Sequence, residues 1–563
     1  MSKVIRTYLP YILLLLLSLL ALWPLFHAGF FTMHDDTQVA RVYEMGKMLR
    51  AGVFPVRWVP DLGYGYGYPI FNFYAPFAYY IGGLVMLLGF DALVATKVMI
   101  FISITASGIG MYLLAREFWG QKGGVLAGAL YLYAPYHALN TYVRGDVAEL
   151  YAYALMPFLF WGIWKLYESL AWKYAVITSI VYGLLIMSHN LSALMISPFF
   201  LMACISLYLV KRREKKSYRL FFLLLSPLFG ILLASFYWMP VFSEMKYTNV
   251  VSQIGGNADF RNQFVCLSQL WSSPWMYGGS IPGCVDGLSF RIGKLHIVLS
   301  IIALVISLFF FRKNKRRGTS VLFAALVLIS GVILMLDVSR PLWEAIPHMA
   351  FFQYPWRFLL LTSLASSFMG GSIPWYMQQY KPTRALTRIT MLGIMLVLFL
   401  TSVKIFVPQR YLNKTAGDYT SDKALKEDTS LLSDEYLPPK FITPYPNIFF
   451  KERYLIRKGT AQLSNISEQP LMYSVRVTAK TPTELLIKLA YFPTWHIFIN
   501  GEMKEFGYSN RGMVVTLPKG TYNISVRFKQ TPIEIFANSV SIATLALLMF
   551  FVYYPKFNKK YGK

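Results

Sequence analysis

The chain reads YLPYILLLLLSLLALWPLF over residues 8–26, a run without a charged residue. An apolar run of about 20 residues is long enough to cross a bilayer as a helix. Similar runs recur near residues 73–90, 93–115, 124–138, 149–168, 173–188, 191–210, 218–239, 293–311, 318–336, 356–376, 389–407 and 533–554. No small-residue cleavage site follows the first run, so we expect an uncleaved helix. The sequence therefore predicts a mainly α, polytopic membrane helical bundle.

Composition and charge placement support this prediction. The chain is 56% hydrophobic and 14% charged, whereas soluble proteins carry about 25% charged residues. The net charge of +27 could indicate nucleic-acid binding, but the basic residues cluster between apolar runs, as in the positive-inside pattern. These clusters are Lys211, Arg212, Arg213, Lys215 and Lys216; Arg312, Lys313, Lys315, Arg316 and Arg317; and Lys556, Lys559, Lys560 and Lys563. We expect membrane lipids as partners, and no nucleic acid.

The basic clusters also predict the topology. Both termini are basic, so we place both in the cytoplasm of a plasma-membrane protein. Thirteen apolar runs would put the termini on opposite sides, so one run must not cross. We choose 73–90, which Pro76 and Gly82-Gly83 interrupt, as an interfacial helix. The prediction is about 12 transmembrane helices, with loops 27–72, 138–149, 240–292 and 337–355 and the stretch 408–532 outside.

Three domains follow from this organisation. Residues 1–407 form a transmembrane domain with outer loops, and 533–563 form a final helix with a basic cytoplasmic tail. Residues 408–532 are more polar, with alternating runs at 471–477, 484–491, 495–499 and 522–528, and Asn500-Gly501 is a strong hairpin signal. We predict a small extracytoplasmic β-rich domain there. Cys266 and Cys284 share an outer loop and are predicted to form a disulfide.

The first outer loop carries the sequence MHDDT at 33–37, ahead of a predicted helix at 38–50. An aspartate that caps this helix would explain one carboxylate. The second is surplus, which favours a general base or a metal ligand among His34, Asp35 and Asp36. Trp58, in the aromatic part of the same loop, is a candidate for substrate binding.

Three further outer positions carry candidate residues. Arg144 precedes Asp146 and Glu149, which predicts either a capped helix start or a phosphate-binding arginine beside further acids. Arg357 ends the run QYPWR at 353–357, which fits an aromatic belt with a snorkelling arginine or a lipid-phosphate site. His189 lies in a predicted turn, as a cap residue or a ligand.

Some function classes are disfavoured. The apolar runs contain few ionisable residues, unlike the spans of ion-coupled transporters. The sequence has no GxxxxGK[ST] loop for a P-loop ATPase. A reaction at the outer face also lacks access to cytoplasmic nucleotide-activated donors. An activated group carried on a lipid phosphate would serve instead.

The order of these motifs resembles the multi-span glycosyltransferases of the C-type fold (GT-C). In that superfamily an acidic pair opens a helix in the first outer loop, and a Pro/aromatic segment, a basic turn and an outer acidic loop follow. Residues 34–36, 69–89, 115–124 and 144–149 match that order. QYPWRF at 353–358, FPTW at 492–495 and LPKG at 517–520 more closely resemble YfhO-type and pyruvoyl-tetrahydropterin-synthase-related membrane proteins. The histidine triad of a zinc-dependent pterin synthase is absent from the sequence.

The resemblance implies an inverting glycosyltransferase that moves a sugar from a polyprenyl-phosphate donor to a glycan or other cell-envelope acceptor. The family's first-loop pair is often Asp-Glu; here it is Asp35-Asp36, and we favour Asp35 as the base. Asp36 would orient the acceptor or, with His34, bind a divalent cation. Arg144 or Arg357 would hold the departing phosphate. A lipid or polymer transporter and a non-catalytic envelope scaffold remain as alternatives.

Overall fold

A computed structural model describes residues 3–214, 218–253, 255, 258–379, 384–444 and 452–561. Lys215, Lys216 and Lys563, which we predict to be cytoplasmic, lie outside the described residues. The helices are α1 (Lys3–Ala21), α2 (Gln38–Arg50), α3 (Ile70–Phe73), α4 (Phe77–Leu87), α5 (Ala92–Leu132), α6 (Pro135–Leu139), α7 (Val147–Ser169), α8 (Trp172–Ser188), α9 (Asn190–Glu214), α10 (Phe222–Leu233), α11 (Ser235–Glu244), α12 (Leu267–Trp271), α13 (Lys294–Phe310), α14 (Lys315–Met335), α15 (Arg340–Ala345), α16 (Leu359–Gly370), α17 (Ile373–Gln379), α18 (Arg384–Ser402), α19 (Ala416–Thr420), α20 (Ser430–Leu432) and α21 (Pro532–Tyr561). The predicted mainly helical fold is confirmed.

Helices long and apolar enough to cross a membrane run through most of the chain. Within the described residues there are seven, and α10 with α11 forms a further candidate bent by 60°. Four shorter apolar helices accompany them. The helix α5 bends at Gly120, whose φ is 70°, at the position where a basic turn separates two predicted spans. The count of about 12 transmembrane helices stays a prediction.

The segment predicted to lie in the interface forms the short helix α4. Its 11 residues would extend about 16 Å, less than the roughly 30 Å of the hydrocarbon core. We expected Gly82 and Gly83 to interrupt a helix, but both lie inside α4. A Cβ at Gly82 would come within 2.8 Å of Val42, and one at Gly83 within 2.8 Å of Met45. The glycine pair therefore allows α2 to pack closely against α4.

The β-rich region is confirmed in the C-terminal part of the chain. Its strands are β3 (Tyr454–Lys458), β4 (Ala461–Gln469), β5 (Met472–Ala479), β6 (Thr483–Ile487), β7 (Trp495–Ile499), β8 (Glu502–Lys504), β9 (Gly507–Ser509), β10 (Gly512–Leu517) and β11 (Gly520–Phe528), after the short strands β1 (Phe30–Phe31) and β2 (Tyr411–Leu412). They form sheets of order β3-β6-β10-β9 and β4-β5-β11-β7-β8. Asn500 and Gly501, with φ of 49° and 91°, turn β7 into β8 as predicted.

The β-rich region packs directly against the first loop. The antiparallel pair β1 and β2 joins the two parts of the chain. The backbone N–H of Ala490 donates to the carbonyl of Tyr66 at 3.1 Å. The ring of Trp58 lies edge-on to Trp495, with centroids 5.2 Å apart. The FPTW motif thus supplies the aromatic contact that fixes the sheets over the first loop.

A buried polar network joins the first loop to the last helix, and we name it the Arg57–Glu534 clamp: Arg57, Asn72, Glu244, Thr531 and Glu534. The guanidinium of Arg57 donates to the Asn72 side chain, and its Nε lies 3.7 Å from Glu534 Oε1. The Asn72 amide donates to Glu244 Oε2 at 3.1 Å and to Glu534 Oε1 at 3.0 Å. Thr531 donates to the other oxygen of each glutamate. Every carboxylate oxygen in the clamp has a donor.

Cys266 and Cys284 form a disulfide, with Cα atoms 5.5 Å apart, as predicted. It closes part of the long loop between α11 and α13. Cys204 is buried and free.

Candidate active site

The first loop and the loop before α7 are held together by backbone hydrogen bonds. The N–H of His34 donates to the carbonyl of Val143, and the N–H of Asp35 donates to that of Arg144, both at 2.9 Å. Gly145 has a φ of 71°, and a Cβ there would lie 2.2 Å from the sulfur of Met33. Glycine is required at this position because the two loops approach so closely. Asp35 is thereby placed beside the acids that follow.

The two first-loop carboxylates do not cap the helix that they precede. The N-cap of α2 is Thr37, and within the described residues it makes no side-chain capping bond. Helix capping, which would have explained one of the two aspartates, therefore explains neither Asp35 nor Asp36.

Arg144 organises the second group of acids. It donates to Glu149 Oε2 at 2.7 Å and to Asp146 Oδ2 at 2.9 Å. Asn140 and Tyr136 also accept from it, and both donate to the other oxygen of Glu149. Asp146 accepts the N–H of Glu149 at 3.0 Å, so the predicted helix cap is present. These contacts engage both terminal nitrogens of Arg144, and its role is to hold two buried carboxylates in place.

The QYPWRF run lies against this group. Trp356 is buried, and the Arg144 guanidinium lies 5.0 Å from its ring centroid. Trp356 therefore packs inside the protein and is not an interfacial belt residue. Arg357 donates to the Phe352 carbonyl at 3.2 Å and to Gln353 at 3.3 Å. Its Nε is buried and has no hydrogen-bond partner among the described residues.

His189 completes a set of three candidate metal ligands with Asp146 and Glu149, whose ligand atoms all lie within 4.8 Å of one another. Burial lowers the pKa of His189, against the attraction of the two acids, and a neutral imidazole can bind a metal. Its Nδ1 also accepts the Ser192 N–H at 3.2 Å, the predicted cap role. The donor types of these three residues fit a divalent cation. Arg144, which donates to both acids, would lie beside such a cation.

Asp35 is partly exposed, yet densely surrounded. Burial raises its pKa, and the Asp146 carboxylate raises it further, against the attraction of Arg144 and Arg41. Asp146 behaves in the opposite way: burial opposes its ionisation, but chiefly Arg144 holds its pKa down at about 2. Two acids in one site thus differ in proton affinity, a pattern typical of acid–base sites.

Arg41 is a site residue that sequence analysis missed. It is 5% exposed and lies near enough to Asp35 to oppose the rise in that pKa. Its guanidinium donates to Ser433 at 3.0 Å and stacks over Tyr74 at 4.4 Å. It forms no close ion pair within the part of the chain that the structure describes, but Ser433, which accepts from it, donates to Glu435 at 3.2 Å. Its position inside a predicted amphipathic helix gave no signal of a site.

Three predicted site residues lie elsewhere. Asp36 faces Lys414 and Asp428; burial raises its pKa to about 6, Lys414 opposes the rise and Asp428 adds to it. The His34 ring bonds the Tyr277 carbonyl at 2.9 Å, and neither His34 nor Asp36 joins a three-ligand group among the described residues. Trp58 is 1% exposed because it packs between the first loop and the sheets, so it cannot contact a substrate in this conformation.

Comparison with known families identifies a match over residues 71–407, to the family described as 6-pyruvoyl-tetrahydropterin synthase related domain, membrane protein. Arg144, Asp146, Glu149 and Arg357 lie within the match, whereas Asp35 precedes it. An uncharacterized protein of Lactococcus lactis subsp. cremoris (strain MG1363) is 24% identical over 265 residues, 45% of this chain and 42% of that protein. The chain thus matches less than half of that relative.

Several solved structures show a weak overall likeness. The oligosaccharyltransferase of Archaeoglobus fulgidus, tethered to an acceptor peptide, matches with a TM-score of 0.47 at 12% identity, over 79% of this chain and 60% of that one. Arabinofuranosyltransferase AftD from Mycobacteria gives 0.45 at 14% identity, over 74% and 28%. ArnT from Cupriavidus metallidurans, bound to undecaprenyl phosphate, gives 0.40 at 12% identity, over 77% and 78%. Scores and identities this low assign neither activity nor substrate.

Proposed function

The chain belongs to the family of 6-pyruvoyl-tetrahydropterin synthase related membrane proteins, and we propose that it is a membrane glycosyltransferase. It would move a sugar from a polyprenyl-phosphate donor to a cell-envelope acceptor at the outer face of the plasma membrane. One observation carries the proposal: Asp35, a carboxyl with a raised pKa, lies near Arg41 and Asp146, and Asp146 in turn lies near Arg357. Among the described residues neither Arg41 nor Arg357 forms a close ion pair, and a proton acceptor near such guanidinium groups suits transfer from a phosphate.

Asp35 is the base in this proposal. An acceptor hydroxyl attacks the anomeric carbon of the sugar, and its proton passes to the Asp35 carboxylate. The bond from that carbon to the phosphate oxygen breaks, and the electron pair leaves with the lipid phosphate. The raised pKa of Asp35 makes it a stronger proton acceptor than an ordinary aspartate. General-base catalysis of this kind typically contributes about 10²–10⁴-fold.

Arg357 is a better candidate than Arg144 for the departing phosphate. Arg144 already donates to Glu149, Asp146 and two further side chains. The Nε of Arg357 and that of Arg41 are buried and have no hydrogen-bond partner among the described residues, so a phosphate that enters the site would supply one. A guanidinium with free N–H groups binds a phosphate through charge-assisted hydrogen bonds. Stabilising the charge that develops on the leaving phosphate would lower the barrier.

The remaining acids position these groups. Asp146, with its pKa held at about 2, stays anionic and keeps the pKa of Asp35 high. Glu149 fixes Arg144 in place. Asp36 points to the segment around Lys414 and would orient the acceptor. No step in this mechanism requires a metal, and a cation bound by Asp146, Glu149 and His189 would lie beside Arg144.

Transfer in sealed vesicles tests the proposal. Radiolabelled polyprenyl-phosphate sugars are supplied to right-side-out and inverted membrane vesicles from cells with and without the chain. We expect label in envelope polymer only when the chain is present, and only in right-side-out vesicles. Absence of transfer from every donor tested would refute the glycosyltransferase proposal. Net movement of intact lipid or polymer across the vesicle membrane without transfer would favour the transporter.

A further inference from the structure

A cavity lies away from Asp35, among the membrane helices. Its volume is about 660 Å³, and its walls come from α5, α7, α9, α14 and α16. Phe160, Phe323, Val327 and Leu364 are typical of its lining. Pockets of about 300–1,000 Å³ with predominantly apolar walls are typical of sites for small ligands. The candidate active site shares none of these residues.

The cavity can be reached from the bilayer. Two of its walls are lipid-facing helices. In the apolar stretch of each helix, only 28% is buried for α9 and 39% for α14. The apolar stretch that contains α16 is 94% buried, so this helix forms the inner wall. A hydrocarbon chain that enters between α9 and α14 would therefore stay in the apolar phase.

One end of the cavity is basic. Lys211, Lys315 and Arg316 line it, against a single acid, Glu168. Arg316 is 57% exposed, pairs with Glu168, and lies 4.4 Å from the ring centroid of Trp164. Long basic side chains in this setting place their stems along apolar surface and their charges at the membrane surface.

This basic end lies across the membrane from the candidate active site. Helix α7 begins immediately after Asp146 and ends at Ser169, one residue beyond Glu168. Its 23 residues extend about 35 Å, which exceeds the hydrocarbon thickness of roughly 30 Å. Our topology places this end in the cytoplasmic leaflet, which carries the anionic lipids.

We propose that the cavity binds one anionic phospholipid of the cytoplasmic leaflet. An acyl chain lies between α9, α14 and α16, and the phosphate contacts Lys315, Arg316 and Lys211. Charge complementarity favours an anionic headgroup over a zwitterionic one, since basic pockets between helices on the cytoplasmic side suit such headgroups. This site is independent of the sugar-transfer proposal, because it shares no residue with that site.

Lipid retention measured by native mass spectrometry tests the site. The purified full chain is equilibrated with phosphatidylglycerol or phosphatidylethanolamine, and the lipid that stays bound is counted. We expect one phosphatidylglycerol, preferred roughly tenfold over phosphatidylethanolamine, because three basic residues against one acid line the headgroup end of the cavity. The double variant Lys315→Gln/Arg316→Gln should lose this preference. The matched control Arg312→Gln/Lys313→Gln, on the same turn but outside the lining, should retain it within twofold.

A variant that fills the cavity distinguishes lipid binding inside the cavity from attraction to the surface charge alone. Ala203 lines the cavity from α9, and Ala203→Trp should reduce retention of phosphatidylglycerol without changing any charge. Lys315→Gln alone, which leaves the Arg316–Glu168 pair intact, should weaken the preference if the double variant is unstable. Each of three results would overturn the proposal. These are equal retention of both lipids by the wild type, unchanged retention in Ala203→Trp, and an equal loss in the Arg312/Lys313 control.

Discussion

The Arg57–Glu534 clamp and the candidate active site are both buried groups of acids and arginines, but they differ in one respect. In the clamp the arginine faces a glutamate, and each carboxylate oxygen accepts a hydrogen bond. In the site no carboxylate lies within ion-pair distance of Arg41 or Arg357 among the described residues, although the buried Nε of Arg57 in the clamp lacks a hydrogen-bond partner just as theirs do. A buried charge left without a partner is costly. Such a charge is expected where a bound ligand supplies the missing partner. The comparison with the clamp shows that burial of a charge does not by itself identify a site.

The largest effect is expected from breaking the clamp. Arg57→Ala leaves Glu534 and Glu244 without their cation, and removing one partner of a buried ion pair typically costs about 3–5 kcal/mol. We expect the free energy of unfolding in detergent to fall by about that amount. Sugar transfer by the fraction that remains folded should be unchanged.

The control for this variant is Arg261→Ala. Arg261 is 52% exposed and pairs with Asp259 and Glu344 at the surface. Surface pairs of this kind contribute about 0–1 kcal/mol. Equal destabilisation by the two variants would show that the clamp is not the joint between the first loop and the last helix.

A smaller, purely functional effect is expected from Arg357→Gln. Hydrogen bonds to charged groups contribute about 1.5–3 kcal/mol, so kcat/KM for a polyprenyl-phosphate sugar should fall roughly 10–100-fold. Stability should change little because Arg357 has no ion-pair partner among the described residues to lose. The matched control Arg340→Gln removes an arginine of the same outer loop that pairs with Asp337. A control loss as large as that of Arg357→Gln would argue against a phosphate site.

The smallest effect concerns the stability of the neighbouring acid. Folding raises the pKa of Asp36 from 3.8 to about 6, so its contribution to stability is present below pH 3.8 and is lost as pH rises through 6. Asp36→Asn should therefore be more stable than wild type at pH 8, on the order of 1–2 kcal/mol after allowing for partial exposure. The difference should shrink toward pH 4. Thermal unfolding across this pH range measures it, and a constant difference would show that Asp36 is not desolvated.

Much of this architecture could be predicted from the sequence. Apolar runs, basic clusters and alternating strands have local signatures, and β7 begins and ends at the predicted residues. Five strands of the two larger sheets were missed: β8 and β9, whose three residues are too few to show a period, and the longer β3, β4 and β10. Gly82 and Gly83 were misread, since their role is contact with α2, which local sequence does not reveal.

The candidate site was less predictable from the sequence, because contacts between distant segments assemble it. Asp35, Asp146 and Arg357 lie at loop positions whose composition stood out. Arg41 lies within a helix and becomes a site residue only through contacts with Tyr74 and Ser433, which are distant in sequence. Trp58 and Asp36 have composition like that of the site residues, but the fold directs them to the aromatic packing and to Lys414.

The most direct test of the central claim is a kinetic comparison of Asp35→Asn with Asp36→Asn. Asparagine keeps the size of aspartate, and the N-cap of α2 is Thr37, so neither substitution removes a cap. We predict that Asp35→Asn lowers transfer from a polyprenyl-phosphate sugar by about 10²–10⁴-fold with an unfolding temperature no lower than that of wild type, because burial raises the pKa of Asp35 as it does that of Asp36. Asp36→Asn should lower transfer less than about tenfold. Near-normal transfer by Asp35→Asn, or an equal loss in both variants, would contradict the assignment of Asp35 as the base.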